Sequence, residues 1–331
     1  MTVEISYREA LHQALREEMQ RDESVLLLGE DITGYGGSYA VTKGLHEEFG
    51  LDRVMETPIA EAGIVATAIG LSMGGFRPVA ELMTVNFALL ALDQIVNNAA
   101  KFHYMFNGQW SVPIVVRTVS GFGQLAATHS QTFEGWFASV PGLKVVMPAT
   151  PADAKGLLKT AVRDPDPVIF IEHSSLYSRR GPVPDDGDEH LVPIGQSAIV
   201  REGSDVTVVA YSRMLLEALA AAEELSGDGI ECEVIDLRTL RPLDLDTVYD
   251  SVARTHHAVL CGEDWRTGGF GSTLAAEIQD RCFEVLDAPV ARVAMADVPL
   301  PYARNLERML IPTAHSVTEA VRGLLGNGGR S

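Results

Sequence analysis

Apolar positions near the start of the chain recur at helical spacing. Ala10, Leu11, Ala14, Leu15 and Met19 fall on one face of a helix. Ser6 stands ahead of them with Glu9 three residues on, the spacing at which the two side chains cap a helix reciprocally. An unbroken apolar run then ends in glycine, Val25-Leu26-Leu27-Leu28-Gly29, as a strand buried on both faces does. Further strands are predicted at 54–57, 77–82, 114–118, 145–147 and 168–172, and helices at 58–70, 89–104 and 152–162. Thr57 is the expected N-cap of the 58–70 helix, with Pro58 at its first position. Residues 34–38 read as a glycine-rich loop. Strands alternating with helices make a layered α/β domain around a mainly parallel sheet.

Residues 177–202 break the rhythm. They hold Pro182, Pro184, Pro193 and the acidic run Asp185-Asp186-Gly187-Asp188-Glu189, the composition of a domain linker. The alternation then resumes, with strands at 206–210, 233–236, 258–261 and 290–294 and helices at 214–225, 245–254, 273–283 and 317–325. The expected division is one α/β domain over 1–176, a linker over 177–202 and a smaller α/β domain over 203–331. No short-period repeat interrupts it.

Composition narrows the function classes. A length of 331 residues suits two domains, and 46% hydrophobic with 21% charged residues is ordinary globular usage. The net charge of −19 speaks against nucleic acid and against an anionic membrane surface as partners. The apolar stretches, such as 64–73, fall well short of the roughly twenty residues of a membrane span. The first residues show no basic segment leading into an apolar run, so the expectation is a cytoplasmic protein or one whose targeting piece is missing. Cys232, Cys261 and Cys282 are widely spaced and form no C-x-x-C pair, which reads as buried free thiols in a reducing compartment.

Several motifs invite a chemical reading. Gly121-Phe122-Gly123-Gln124-Leu125-Ala126 fits a loose dinucleotide fingerprint but lacks the following helix and acid that such a site needs. Gly268-Gly269-Phe270-Gly271 precedes a helix, whose amides could hold an anion; a tight turn explains it equally well. Gly227-Asp228-Gly229 has no asparagine at the distance a Mg²⁺-diphosphate motif requires, and it reads as a turn. Glu61 is different. It falls in the first turn of a helix among Ile59, Ala60, Ala62, Gly63, Ile64 and Val65. An acid at a helix start favours the dipole, but a buried carboxyl also holds its proton more tightly, as general acid–base work near neutrality requires. His129 lies on a polar loop and Phe87 in an apolar segment; a solvated histidine and a core phenylalanine are the plain readings.

These segments occur in a recognisable order. Gly29-Glu30-Asp31, Val41-Thr42-Lys43-Gly44-Leu45 and Thr57-Pro58-Ile59-Ala60-Glu61-Ala62-Gly63 are followed by Arg77-Pro78-Val79-Ala80-Glu81 and His129-Ser130-Gln131. Pro141-Gly142-Leu143-Lys144-Val145-Val146 and Glu263-Asp264-Trp265 come after them. From about residue 5 to 321 the chain resembles the β subunits of the decarboxylating first component of 2-oxo acid dehydrogenase complexes. Glu81-Leu82-Met83-Thr84-Val85-Asn86-Phe87 is most similar to the pyruvate branch.

The resemblance implies a thiamine diphosphate-binding fold. Its pyrimidine-binding domain is a doubly wound, mainly parallel α/β sheet, followed by a transketolase C-terminal-like α/β domain. It implies an α₂β₂ heterotetramer whose α subunit carries most of the Mg²⁺-diphosphate site. A dihydrolipoyl acyltransferase core would dock through its basic subunit-binding domain, and pyruvate would be oxidatively decarboxylated with acylation of a lipoyl group. By position, Glu61 would bond N1′ of the aminopyrimidine, Phe87 would stack on that ring, Ile59 would line the pocket, and His129 would handle a proton or guide the lipoyl group. Some members hold K⁺ at positions matching Ile114, Ala161, Asp164 and Asp166, mostly through carbonyls. The alternatives are a β subunit of acetoin dehydrogenase or of the branched-chain enzyme, and more remotely a non-catalytic assembly subunit. The negative charge is spread over both halves, −8 over residues 1–176 and −9 over 201–331, and an acidic C-terminal half suits a basic partner by electrostatic steering.

Overall fold

The computed structural model describes residues 2–185 and 189–327, so Asp186, Gly187 and Asp188 of the acidic run lie outside the described residues. Strand β1 (Thr2–Ser6) leads into helix α1 (Tyr7–Arg21), and the capping pair forms as the spacing predicts. The Ser6 hydroxyl accepts the Glu9 N–H at 3.2 Å, while the Glu9 carboxylate accepts the Ser6 N–H at 2.6 Å. Then come β2 (Val25–Gly29), α2 (Leu45–Phe49), β3 (Val54–Glu56), α3 (Glu61–Met73) and β4 (Arg77–Glu81). The predicted 89–104 helix is broken. A 3-10 turn at Phe87–Ala91 and a π turn at Gln94–Ala99 precede α4 (Phe102–Met105). Asn97 and Asn98 lie in the π turn and bond back to Asp93 and Gln94 at 2.8 and 2.9 Å; asparagine competes with regular helix in this way. The order continues with β5 (Val115–Ser120), α5 (Glu134–Ala138), β6 (Lys144–Val146), α6 (Pro151–Arg163), β7 (Val168–His173) and β8 (Arg180–Pro184).

Two units divide the chain, the first holding residues up to Phe122 and Trp136–Ile194. Within it the strands run β6-β7-β5-β4-β2-β3, each pair parallel. Strands β2, β5 and β7 are buried along their whole length; β2 is an unbroken apolar run, as a strand covered on both faces is, while β5 and β7 carry the buried charges of Arg117 and Glu172. Helix α1 packs on α6 through a partly buried ion array, in which Glu17 holds Lys155 and Lys159 at 2.8 and 2.7 Å and Glu18 holds Arg163 at 2.6 Å.

Two expectations change here. Helix α3 starts at Glu61 rather than Pro58, and its N-cap is Ala60 at φ −160°. Thr57 does not cap it, because the Thr57 N–H donates to the Gly29 carbonyl at 2.9 Å and so prolongs the β3–β2 ladder. A residue before proline favours that extended backbone. The stretch expected as a linker is partly ordered: β8 pairs antiparallel with β1, Thr2 opposite Pro184. Pro182 and Pro184 are tolerated there because a two-stranded ribbon leaves one side of each strand without a ladder partner.

The second unit takes residues 123–135 and the chain from Gly195 on. Its elements are β9 (Ala198–Arg201), β10 (Val206–Ala210), α7 (Arg213–Ser226), β11 (Cys232–Asp236), β12 (Thr239–Arg241), α8 (Leu245–Thr255), β13 (Ala258–Trp265), α9 (Phe270–Cys282), β14 (Ala291–Met295), α10 (Arg304–Leu310) and α11 (Ala314–Asn327). The sheet order is β14-β13-β10-β11-β9, parallel except for the edge strand β9. The short helix α10 was not foreshadowed by periodicity. Among the described residues no helix is long and apolar enough to cross a membrane.

Candidate functional site

Ligands of open α/β sheets bind beyond the C-terminal ends of the strands. In the first unit those ends are acidic: Glu30 follows β2, Glu56 closes β3, Glu81 closes β4, and Glu61 opens α3. Glu61 is only 5% exposed. It is the first residue of its helix, where amides without intrahelical partners stabilise a negative charge. Its carboxylate makes no hydrogen bond or ion pair with a side chain among the described residues. The Thr57 hydroxyl is buried and likewise has no partner among them. Burial first, then the negative charges of Glu61, Asp31 and Glu81, push the Glu30 carboxyl above its usual range. One buried acid therefore feels the next.

Behind this acidic edge sits a buried cation. Arg117 on β5 pairs with Glu81 on β4 and with Glu172 on β7. Burial works against its charge, but the carboxylates of Glu172 and Glu81 outweigh it and hold the guanidinium above its ordinary pKa. Glu172 is pushed up by burial, which the charge of Arg117 partly offsets. Tyr177 donates to the same carboxylate and stacks on Tyr39 at 4.7 Å between centroids. A Cβ on Gly37 would run into the Glu81 carboxylate, and Gly37 has φ +77°, so both space and backbone call for glycine there.

The sequence candidates fall in two units. Ile59 is 77% exposed just ahead of Glu61. Phe87 is half-buried at the start of a 3-10 turn on which α3 packs. His129 belongs to the second unit. It is exposed at the end of a 3-10 turn, with Nδ1 3.1 Å from the Thr128 hydroxyl. Three of the four carbonyls proposed for K⁺, those of Ile114, Ala161 and Asp164, already accept a hydrogen bond. The Ile114 carbonyl accepts from Val168 at 2.9 Å and the Ala161 carbonyl from Asp164 at 3.3 Å. Both Asp164 carboxylate oxygens lie 2.7 Å from Lys144 Nζ, which also reaches Asp166 at 3.1 Å. Arg77 donates to the Val162 and Asp164 carbonyls at 3.0 and 3.1 Å. This donor set brings its own two cations.

Two glycine motifs are answered by the chain itself. Gly227-Asp228-Gly229 is a turn after α7, and the Asp228 carboxylate holds Arg322 at 2.6 Å. The start of α9 receives the Asp264 carboxylate, which accepts the Gly271 N–H at 3.3 Å. Cys232, Cys261 and Cys282 are free and buried, and burial pushes the Cys232 thiol up to about 11.

Sequence reading missed a second acidic cluster, in the second unit. Glu134 is almost fully buried, accepts from Tyr211 at 3.3 Å through one oxygen, and has no partner for the other among the described residues. Asp264 lies in the same cluster, while Glu263 pairs with Arg213. Burial and then the charge of Asp264 push Glu134 up to about 8. No spacing links residues 134, 211 and 264, so only the fold could bring them together. Glu30, Glu81 and Arg117 did leave a signal, a charged residue within or just after an apolar strand.

Two family descriptions match the chain: "Transketolase, pyrimidine binding domain" over residues 3–179 and "Transketolase, C-terminal domain" over residues 195–317. Among curated relatives, a mitochondrial pyruvate dehydrogenase E1 component subunit beta-2 of Oryza sativa subsp. japonica is 48% identical over 96% of this chain and 86% of its own length. A pyruvate dehydrogenase E1 component subunit beta of Rickettsia felis is 47% identical, over 97% of this chain and 98% of its own. Among solved structures, a split-gene transketolase described as an inactive β4 tetramer superposes with a TM-score of 0.79 at 26% identity, covering 97% and 98% of the two chains.

Proposed function

The chain belongs to the family of pyruvate dehydrogenase E1 β subunits, and from that premise we propose that it forms half of a thiamine diphosphate-dependent active site acting on pyruvate. The observation that carries the reading is Glu61: a buried carboxylate without a side-chain partner among the described residues, at the first position of α3 and beside the acid Glu30. Such a group suits a ring nitrogen that can share its proton. The buried Thr57 hydroxyl, without a partner among the described residues, adds polar capacity close by in the chain. When bound, thiamine diphosphate supplies the electron sink that lets a 2-oxo acid lose CO₂. Glu61 would hold and move a proton at N1′ of the aminopyrimidine. Phe87 would lie against the ring, and exposed Ile59 would exclude water from it. His129 would handle a proton or guide the lipoyl group.

The diphosphate and its Mg²⁺ fall to an α subunit in this reading, since Asp228 is occupied by Arg322 and the sequence has no matching asparagine. The assembly is an α₂β₂ heterotetramer. Its acidic C-terminal half would steer the basic subunit-binding domain of a dihydrolipoyl acyltransferase core. K⁺ stays outside the proposal, because Lys144 pairs with the Asp164 and Asp166 carboxylates and Arg77 takes the Asp164 carbonyl.

The experiment is co-expression with the α partner, followed by dye-reduction assays on pyruvate, branched-chain 2-oxo acids and acetoin. Turnover on pyruvate above the others is expected, along with weak cofactor binding and no decarboxylation by the lone chain. Preference for acetoin or a branched acid would replace pyruvate as substrate. Tight Mg²⁺-dependent cofactor binding by the lone chain would remove the α subunit from the diphosphate site.

A further inference from the structure

The loop that bears His129 is held by an acid far along the chain. Residues 123–135 leave the first unit and join the second. At their start Glu307, on α10 and 4% exposed, accepts two backbone N–H groups with one oxygen: Gly123 at 3.1 Å and Gln124 at 2.9 Å. The backbone just beyond is unfavourable. Gln124 and Ala126 carry side chains yet adopt φ +59° and +64°, a region that residues with a Cβ avoid unless something holds them there. The Ala126 carbonyl in turn accepts the His129 N–H at 3.3 Å. At the far end Phe133 packs edge-on against Trp265 at 6.2 Å, and Glu134 accepts from Tyr211.

A buried carboxylate takes hydrogen bonds from amides strongly, because the acceptor is charged. Here both amides belong to a turn that local preference would open. We infer that Glu307 is a positioning residue: its carboxylate fixes the left-handed turn at 123–126 and thereby the place of His129. The residue does not itself touch the reacting groups. Nothing near Glu307 in the sequence advertises this role, since 183 residues separate it from Gln124.

The test uses the assembled enzyme with its α partner, thiamine diphosphate and Mg²⁺. Glu307→Leu removes the acceptor, and Glu307→Gln keeps an acceptor oxygen without the charge. Amide exchange at Gly123 and Gln124, read by mass spectrometry, is expected to be about 10- to 100-fold faster in Glu307→Leu and roughly 3-fold faster in Glu307→Gln. Turnover should fall in the same order while the pyruvate KM stays within about 3-fold, and the double variant with His129→Ala should be no slower than His129→Ala alone. Unchanged exchange in Glu307→Leu overturns the inference, and so do additive losses in the double variant. The turnover readout rests on the role proposed for His129. Full turnover by His129→Ala overturns that role, and exchange alone then decides on Glu307. Should Glu307→Leu fail to assemble, wild-type exchange in Glu307→Gln is the overturning result.

Discussion

The negative charge of Glu61 raises the pKa of Glu30, second only to burial itself. Two acids that belong to different elements, one after β2 and one opening α3, therefore share one electrostatic environment. Glu61→Gln removes the proton-sharing group while keeping its size. Turnover of the assembled enzyme should fall by about 10²–10⁴-fold, the usual contribution of a positioned acid–base group. Helix content and assembly should survive, because losing a charge at a helix start costs only about 0.3–1 kcal/mol. Steady-state turnover beside circular dichroism and sizing of the pure complex checks this. Near-normal turnover would remove Glu61 from the chemistry.

Arg117 is the counter-charge beneath the acidic edge. It is 2% exposed, between Glu81 and the fully buried Glu172. Arg117→Met strands two carboxylates, and removing one side of a buried pair costs about 3–5 kcal/mol. Chemical denaturation of the purified chain should show that loss. Adding Glu172→Gln should recover part of it, since the second carboxylate then no longer needs a cation. A single variant as stable as the parent would mean that water already compensates Glu81 and Glu172.

Periodicity was a good guide where a strand is buried on both faces. The apolar run of β2 ends at Gly29 as expected, and β10 matches to the residue. It failed where backbone pairing competes with local preference. Thr57 and Pro58 look like a helix start, yet the Thr57 N–H is drawn to Gly29. The prolines of β8 suggest a linker, yet they lie in a two-stranded ribbon with β1. At the site, Glu61 could be singled out from its apolar neighbours, and the resemblance gave it a partner atom. The Glu134–Tyr211 contact of the second acidic cluster spans 77 residues and the Gly123–Glu307 clamp 184, and no window along the chain contains them.

The reciprocal cap on α1 offers a small, local test. Ser6 and Glu9 each satisfy the other's backbone amide. Ser6→Ala should cost about 1 kcal/mol, the usual loss for an N-cap hydroxyl. The Ser6 N–H and hydroxyl also hold the Glu9 carboxyl below its ordinary pKa. That group adds stability above its ordinary pKa and loses it as pH falls, so Ser6→Ala should matter less in acid. Urea melts at pH 7 and pH 3.5 would compare the two. A difference that grows in acid would contradict the cap as described.

Glu134 reverses that pH dependence. Burial, and after it the charge of Asp264, push its carboxyl from 4.5 up to about 8. The folded chain therefore keeps a proton that the unfolded chain releases near its ordinary pKa. Where the folded state binds more protons, stability falls as pH rises. This contribution is present in full in acid and is lost as pH rises from the ordinary carboxyl range toward about 8. Glutamine imitates the protonated acid and cannot ionise. Glu134→Gln should thus melt higher than the parent at neutral pH, by a margin that widens from pH 5 to pH 8. Because Tyr211 donates to one oxygen of Glu134, the amide oxygen can keep that bond. Calorimetric melts across the range provide the measurement. A margin that is constant or shrinks with rising pH would mean that Glu134 is already ionised in the fold, with its charge met by a group other than Tyr211.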